Sequence, residues 1–177
     1  MAIHFLLKTK GRSSVGWPWI METYSWVEPT ALAILALNLS GYGTHERVHE
    51  AVRRLKDFQL PSGGWNIGSL IIFGRETYPQ IDCTGIALTA LKGYVRKEEI
   101  DRSLHYLKSE IALCRTPLSL GWALFGLDAW GERPPEVKRW LLDCLSRQKK
   151  YGDYGTTLLS LVLLAYEAKG GFLETIS

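Results

Sequence analysis

Two kinds of apolar pattern alternate along this sequence. The first is a short run, apolar almost all round and rich in Ala and Leu, that recurs at 30–37, 84–91, 120–127 and 157–164. These runs are about two to three helical turns long and poor in β-branched residues, which favours buried helices over strands. The second kind spaces apolar residues three or four positions apart between charged ones, at 48–58, 104–111 and 137–145. That spacing predicts helices with one buried stripe and one solvated face.

This alternation predicts an all-α fold in which inner helices form a row or ring and outer helices shield it, an α/α toroid or solenoid. Gly41, Gly93 and Gly131 follow inner helices, where a left-handed C-terminal cap is expected, and Pro134-Pro135 precedes the last outer helix. A generic bundle of helical hairpins remains the alternative. We interpret 1–177 as one domain of four repeats, with approximate bounds 1–43, 44–95, 96–132 and 133–177.

Composition narrows the class of protein. The chain is 46% hydrophobic and 22% charged with a formal net charge of +3, which predicts a globular core and excludes a nucleic-acid-binding surface of clustered basic residues. Cys83, Cys114 and Cys144 are an odd number without CxxC spacing, so we expect buried free thiols in a reducing cytosol. No apolar stretch reaches the roughly 18 residues that a transmembrane helix needs.

A motif recurs in register with the helical pattern. Gln59-Leu-Pro-Ser-Gly63-Gly64-Trp65 stands at the end of the second outer helix, and Gln148-Lys-Lys-Tyr-Gly152-Asp-Tyr154 is a weaker copy in the fourth repeat. The first repeat keeps Gly16-Trp17, and the third has lost the motif. The Gln amide, the Gly turn and the aromatic ring suit a connector between helices, so we interpret these residues as structural.

This QxxxGxW pattern resembles the repeat motif of squalene-hopene and oxidosqualene cyclases, within the superfamily that also contains the protein prenyltransferases. The resemblance implies a closed barrel with more helix pairs than the four inner helices counted here. Because Met1 falls inside a repeat, we expect a partial reading frame. The alternative is a half-barrel that forms a homodimer to cover its apolar side.

The resemblance also indicates where chemistry would lie. In the cyclases an aspartate of a DxDDT motif at the start of an inner helix protonates an alkene, and segment 80–84 reads Gln-Ile-Asp-Cys-Thr, which keeps the central acid, Asp82. Glu28 occupies the equivalent place one repeat earlier. The alternative interpretations are an N-cap for Asp82 and a favourable charge at a helix start for Glu28. The candidate cation-stabilising and substrate-binding rings are Trp17, Trp19, Trp26 and Tyr78.

The prenyltransferase branch binds zinc through Asp, a Cys two positions on, and a later His. Asp82 and Cys83 are adjacent instead, and 154–156 contains no His, so we expect neither a metal nor another cofactor. A zinc-dependent prenyltransferase subunit is therefore only the third functional hypothesis, after the two given below. We expect most histidines to be solvated bystanders, namely His4, His45, His49 and His105.

The leading hypothesis is therefore a terpene cyclase-like protein that binds or cyclises a linear, hydrophobic isoprenoid in an aromatic-lined cavity. The competing hypothesis is a non-catalytic repeat module that binds a lipid or a protein, and the missing flanking acids of the DxDDT motif favour it. A cytoplasmic location is expected, and peripheral membrane contact is implied by the resemblance alone.

Overall fold

The computed structural model describes residues 2–9, 15–168 and 172–176, and this part of the chain is mostly helical. A two-stranded antiparallel hairpin is its only sheet among the described residues. The helices are α1 (Ala2–Lys8), α2 (Val27–Leu37), α3 (Glu46–Asp57), α4 (Ile81–Leu91), α5 (Asp101–Glu110), α6 (Pro117–Ala129), α7 (Val137–Ser146), α8 (Gln148–Tyr151), α9 (Thr156–Glu167) and α10 (Phe172–Ile176), and the strands are β1 (Ile71–Ile72) and β2 (Arg75–Glu76).

The apolar runs form α2, α4, α6 and α9, which pack in chain order. Helix α4 contacts both α2 and α6, and α6 also contacts α9. The contact between α4 and α6 depends on Gly85, because a Cβ built there would lie 2.3 Å from the backbone oxygen of Trp122. Small residues at such a crossing let two helix backbones approach closely.

The amphipathic patterns form α3, α5 and α7, as predicted. Each packs on its apolar neighbour, α3 on α2, α5 on α4 and α7 on α6, and buries its apolar stripe. Short 3₁₀ turns, Lys97–Glu99 and Ile111–Leu113, flank α5. Gly131 follows α6 with φ of 72°, and the N–H of Glu132 donates to the Leu127 carbonyl (2.9 Å), so the predicted left-handed cap is confirmed there. Gly41 and Gly93 also have positive φ, 81° and 85°, but Gly41 lies within the π-helical segment Asn38–Tyr42 that follows α2, and Gly93 follows Lys92, which has already left the helical conformation.

One prediction about burial is wrong. The run at 157–164 was expected to form a fully buried helix, but on α9 only Val162 and Ala165 are buried. Leu159, Leu163 and Tyr166 are 39%, 60% and 43% exposed. The elements that pack most on α9 are α6, α7 and α10, and they leave these three side chains uncovered.

The hairpin between α3 and α4 was not predicted from the sequence. Ile71 pairs with Glu76 and Ile72 with Arg75, so Phe73 and Gly74 form a two-residue loop. Both loop residues have positive φ, 51° and 75°, which is the geometry of a type I′ turn. None of the described helices is long and apolar enough to cross a membrane.

Candidate functional site

Trp65 joins the end of α3 to the start of α4. Its buried indole N–H donates to the carbonyl of Leu55 on α3 (2.7 Å). Its backbone N–H donates to Oγ1 of Thr84 on α4 (3.0 Å), and the same hydroxyl donates back to the Trp65 carbonyl (3.2 Å). The Trp65 carbonyl also accepts from the N–H of Gln80, the residue before α4 (2.8 Å). One residue therefore fixes the angle between an amphipathic helix and the apolar helix that follows it.

The rest of the motif ties this junction to α5. The amide of Gln59 donates to Oγ of Ser103 on α5 (2.9 Å), and the backbone N–H of Gly64 donates to the same hydroxyl (2.8 Å). Gly63 has φ of 100°, and a Cβ there would meet the Arg102 backbone at 2.8 Å. Both the conformation and the close approach require glycine.

The same linkage occurs at Trp17. Its indole N–H donates to the carbonyl of Leu6 on α1 (3.1 Å), and its backbone N–H donates to Oγ1 of Thr30 on α2 (3.0 Å). Its carbonyl accepts from Thr30 Oγ1 (3.3 Å) and from the N–H of Trp26 (3.1 Å). The Arg47 guanidinium stacks 4.3 Å from the ring centre. Trp17 is only 4% exposed, so its proposed contact with substrate stays a prediction that this packing does not favour.

Tyr154 makes a related connection in front of α9. Its hydroxyl donates to the carbonyl of Cys144 on α7 (3.0 Å), and its backbone N–H donates to the side-chain oxygen of Gln148 (2.8 Å). Gly152, between them, has φ of 92°. The tyrosine hydroxyl thus reaches the preceding amphipathic helix, as the indole N–H does in the other two connectors.

Glu28 and Asp82 lie in the first turns of neighbouring apolar helices. Each is the second residue of its helix, Glu28 in α2 and Asp82 in α4. The N-cap interpretation of Asp82 is wrong, because Gln80 occupies the N-cap of α4 and Asp82 lies inside the first turn. Burial raises the pKa of Glu28, and the negative charge of Asp82 raises it further. Both causes favour the protonated form of Glu28.

The two carboxyl groups line one crevice with side chains from α4 and α6. Its other walls are Leu118 and Trp122 of α6 and Cys83 and Ile86 of α4. Leu118 is the second residue of α6, so the second positions of three successive apolar helices meet here. The crevice has a volume of about 10 Å³, room for about one water molecule.

Trp122 and Leu118 were not among the sequence-predicted site residues. Trp122 belongs to an aromatic cluster, with ring centres 5.6 Å from Phe125 and 5.7 Å from Phe172. The signal that could have found both residues is the helix register, since 118 and 122 follow the start of α6 as 82 and 86 follow the start of α4.

The remaining predicted rings lie at the surface. Trp19, Trp26 and Tyr78 are 56%, 39% and 89% exposed. The loop before α2 meets the segment after Trp65, because the Val27 N–H donates to the Ile67 carbonyl (3.2 Å). The structure therefore puts these rings outside the crevice, and their contact with substrate stays a prediction. Other large apolar side chains exposed on the same two segments are Ile20, Met21, Tyr24, Ile67, Ile71, Ile72 and Phe73.

Cysteine and histidine chemistry has little support in the described structure. All three cysteines are buried free thiols, and all four histidines are exposed. Burial, followed by the charges of Asp82 and Glu28, raises the pKa of Cys83 to about 12, so its thiol is neutral. Within the described ranges, no three His, Cys, Asp or Glu side chains are grouped as metal ligands.

Comparison with known proteins gives no relative. No family model matches the chain, and no curated protein or solved structure matches it.

Proposed function

We propose that this chain is a terpene cyclase-like helical-repeat protein, an incomplete α/α toroid of about four helix-hairpin repeats, that acts on a linear isoprenoid. The observation that carries the proposal is the crevice at the start of α4. There, Glu28 with a raised pKa lies beside Asp82 and a tryptophan ring, Trp122. A protonated carboxyl group, a carboxylate and an aromatic face are the groups that alkene protonation and cation stabilisation need.

The connectors support the repeat architecture. Trp65 with Thr84 and Trp17 with Thr30 form the same set of hydrogen bonds between successive helix pairs. The packing of α2, α4, α6 and α9 in chain order agrees with an inner row. Repetition of both contacts and order is typical of a solenoid or toroid.

In the proposed reaction, the protonated form of Glu28, which the raised pKa favours, donates its proton to the terminal double bond of the isoprenoid. The resulting carbocation lies between the Asp82 carboxylate and the face of Trp122, which stabilise positive charge. Asp82 has a second role, because its negative charge adds to the effect of burial in raising the pKa of Glu28. Glu28 is therefore the proposed acid and Asp82 the supporting charge, whereas the resemblance to the DxDDT motif made Asp82 the candidate acid.

A second candidate function is a non-catalytic module that binds a lipid or a protein. The size of the crevice favours it, because about 10 Å³ is far below the roughly 300–1,000 Å³ of ordinary ligand pockets. An isoprenoid would have to lie along the surface near Leu118, which is 41% exposed, with only its end at the carboxyl pair.

Incubation with squalene and with a prenyl diphosphate in detergent, followed by mass spectrometry of the extract, separates the two functions. Cyclic products support the cyclase, and we expect Asp82→Asn and Glu28→Gln each to abolish them. Glu98→Gln serves as the control, because it neutralises an exposed carboxylate in the turn between α4 and α5, away from the crevice. Saturable binding with every substrate recovered unchanged supports the module. Turnover that survives both substitutions would contradict the assignment of the acid.

A further inference from the structure

A second cleft lies between the turn that precedes α6 and the amphipathic helix α7. Its volume is about 350 Å³, within the range of small-molecule sites. The turn contributes Ala112, Cys114 and Arg115, and the helix side contributes Arg139, Trp140, Asp143, Cys144, Ser146 and Arg147. None of these residues lines the Glu28–Asp82 crevice. We refer to it as the arginine cleft.

Three positive charges and one negative charge line this cleft. Arg139, Asp143 and Arg147 follow one another at four-residue intervals, which places them on one face of α7 and just beyond its end. Arg115 faces them from the turn before α6. Asp143 is the one carboxylate among these lining residues. The thiols of Cys114 and Cys144 add no negative charge, because burial raises their pKa values.

The three arginines lack ion-pair partners in the described structure. Some basic side chains elsewhere are paired, as Lys56 is with Glu99 and Arg133 with Asp128. No carboxylate lies within 4.0 Å of a guanidinium of Arg115, Arg139 or Arg147 among the described residues. Nε of Arg147 is buried and has no hydrogen-bond partner there. A buried donor of this kind is destabilising unless a ligand or water accepts from it.

The turn holds one guanidinium in place for a ligand. Nη1 of Arg115 donates to the carbonyls of Ala112 (2.8 Å) and Cys114 (2.9 Å). These two bonds fix the planar group and leave its remaining N–H groups for another acceptor. A fixed guanidinium loses less side-chain entropy when it binds an anion than a freely rotating one does.

We propose that the arginine cleft binds the phosphate or diphosphate group of a ligand. Guanidinium groups recognise tetrahedral oxyanions through paired N–H bonds, and several of them match the charge of a dianion better than that of a single carboxylate. Trp140 provides an apolar wall beside the charged groups. This inference is independent of the isoprenoid function, because it concerns different residues and a different cleft.

Calorimetric titration of the full chain with inorganic pyrophosphate, in buffer free of phosphate and sulfate, tests the proposal. We expect saturable binding that Arg139→Gln weakens at least about tenfold. Lys138→Gln is the matched control, because Lys138 precedes Arg139 on the same helix but lines a different cleft with Arg133 and Pro134. The control should change the dissociation constant by less than about twofold. Absence of binding, or equal weakening by the two substitutions, would overturn the proposal.

The nuclear magnetic resonance signal of the Trp140 indole provides a second readout that does not depend on a variant. It should move during the pyrophosphate titration, and an unmoved signal at saturation would place the anion elsewhere. Cosedimentation with phosphatidylcholine vesicles, with and without phosphatidic acid, separates the two sources of the group. Binding to the acidic vesicles that pyrophosphate displaces indicates a lipid headgroup, whereas pyrophosphate binding without vesicle binding indicates a soluble ligand. Both results support the phosphate chemistry, and absence of pyrophosphate binding contradicts it.

Discussion

The substitution Thr84→Val removes one hydroxyl from the Trp65 connector. Thr84 is fully buried, and its Oγ1 both accepts from the Trp65 N–H (3.0 Å) and donates to the Trp65 carbonyl (3.2 Å). Valine has nearly the same shape, so the change leaves no large cavity. The carbonyl keeps the N–H of Gln80 as a partner, but the N–H of Trp65 loses its acceptor. The substitution thus tests one buried, unsatisfied donor.

The expected loss in the free energy of unfolding is about 2 kcal/mol, since an orphaned buried donor costs about 1–3 kcal/mol. For a chain of this size, 1 kcal/mol shifts the thermal midpoint by about 2–4 °C, so a shift of about 4–8 °C is expected. Urea unfolding followed by circular dichroism should show a lower midpoint with an unchanged slope.

Thr89→Val on the same helix is the matched control. Thr89 is 1% exposed, and its Oγ1 donates to the Gly85 carbonyl (2.8 Å). Removing that hydroxyl orphans no N–H, so we expect a loss below about 1 kcal/mol. Thr30→Val should behave like Thr84→Val, because Thr30 bonds the backbone of Trp17 in the same way. Equal losses for Thr84→Val and Thr89→Val would refute the argument.

Substitutions at three other positions have defined outcomes. Gly85→Ala should lower the urea midpoint, because the new Cβ would overlap the backbone of Trp122 and overpacking costs about 1–3 kcal/mol. In an ordinary helix interior, replacing glycine with alanine would instead raise the midpoint. Phe73→Asn should raise the free energy of unfolding by about 1 kcal/mol, and with it the thermal midpoint, since Phe73 is fully exposed at positive φ. A lower midpoint would indicate that the Phe73 ring makes stabilising contacts. Glu28→Gln should stabilise the fold at neutral pH, where the buried charge is a cost, and the gain should vanish as the pH falls through the raised pKa of Glu28 towards its ordinary value of 4.5. A gain independent of pH would contradict that pKa.

The sequence predicted the helices well because their pattern reports burial directly. Apolar residues on all sides gave α2, α4 and α6, and charged residues at regular intervals gave α3, α5 and α7. Burial of α9 was predicted incorrectly, since an apolar composition states what a helix can bury and not what covers it. Leu163 is apolar and yet 60% exposed. The hairpin was missed because Phe73 replaces the Asn or Asp that usually marks a type I′ turn.

The candidate site was predicted in part. Glu28 and Asp82 stand out in a sequence because a carboxylate before an apolar run is visible without coordinates. Trp122 does not, since a tryptophan within an apolar run is expected in a core. Its position at the crevice depends on the register in which α6 packs along α4, and the close contact at Gly85 determines that register.

Helix register explains why these particular side chains meet. Glu28, Asp82 and Leu118 are each the second residue of their helices, and Ile86 and Trp122 are each the sixth. Positions four apart lie on one face of a helix, so helices packed in equal register bring both positions to the same crevice. A change that shifts one helix along its neighbour would separate the carboxyl pair from Trp122 without touching either group. Gly85→Ala is such a change, and the pKa of Glu28 should respond to it through altered burial. An unaltered titration of Glu28 in a folded Gly85→Ala variant would show that the carboxyl pair does not depend on the register between α4 and α6.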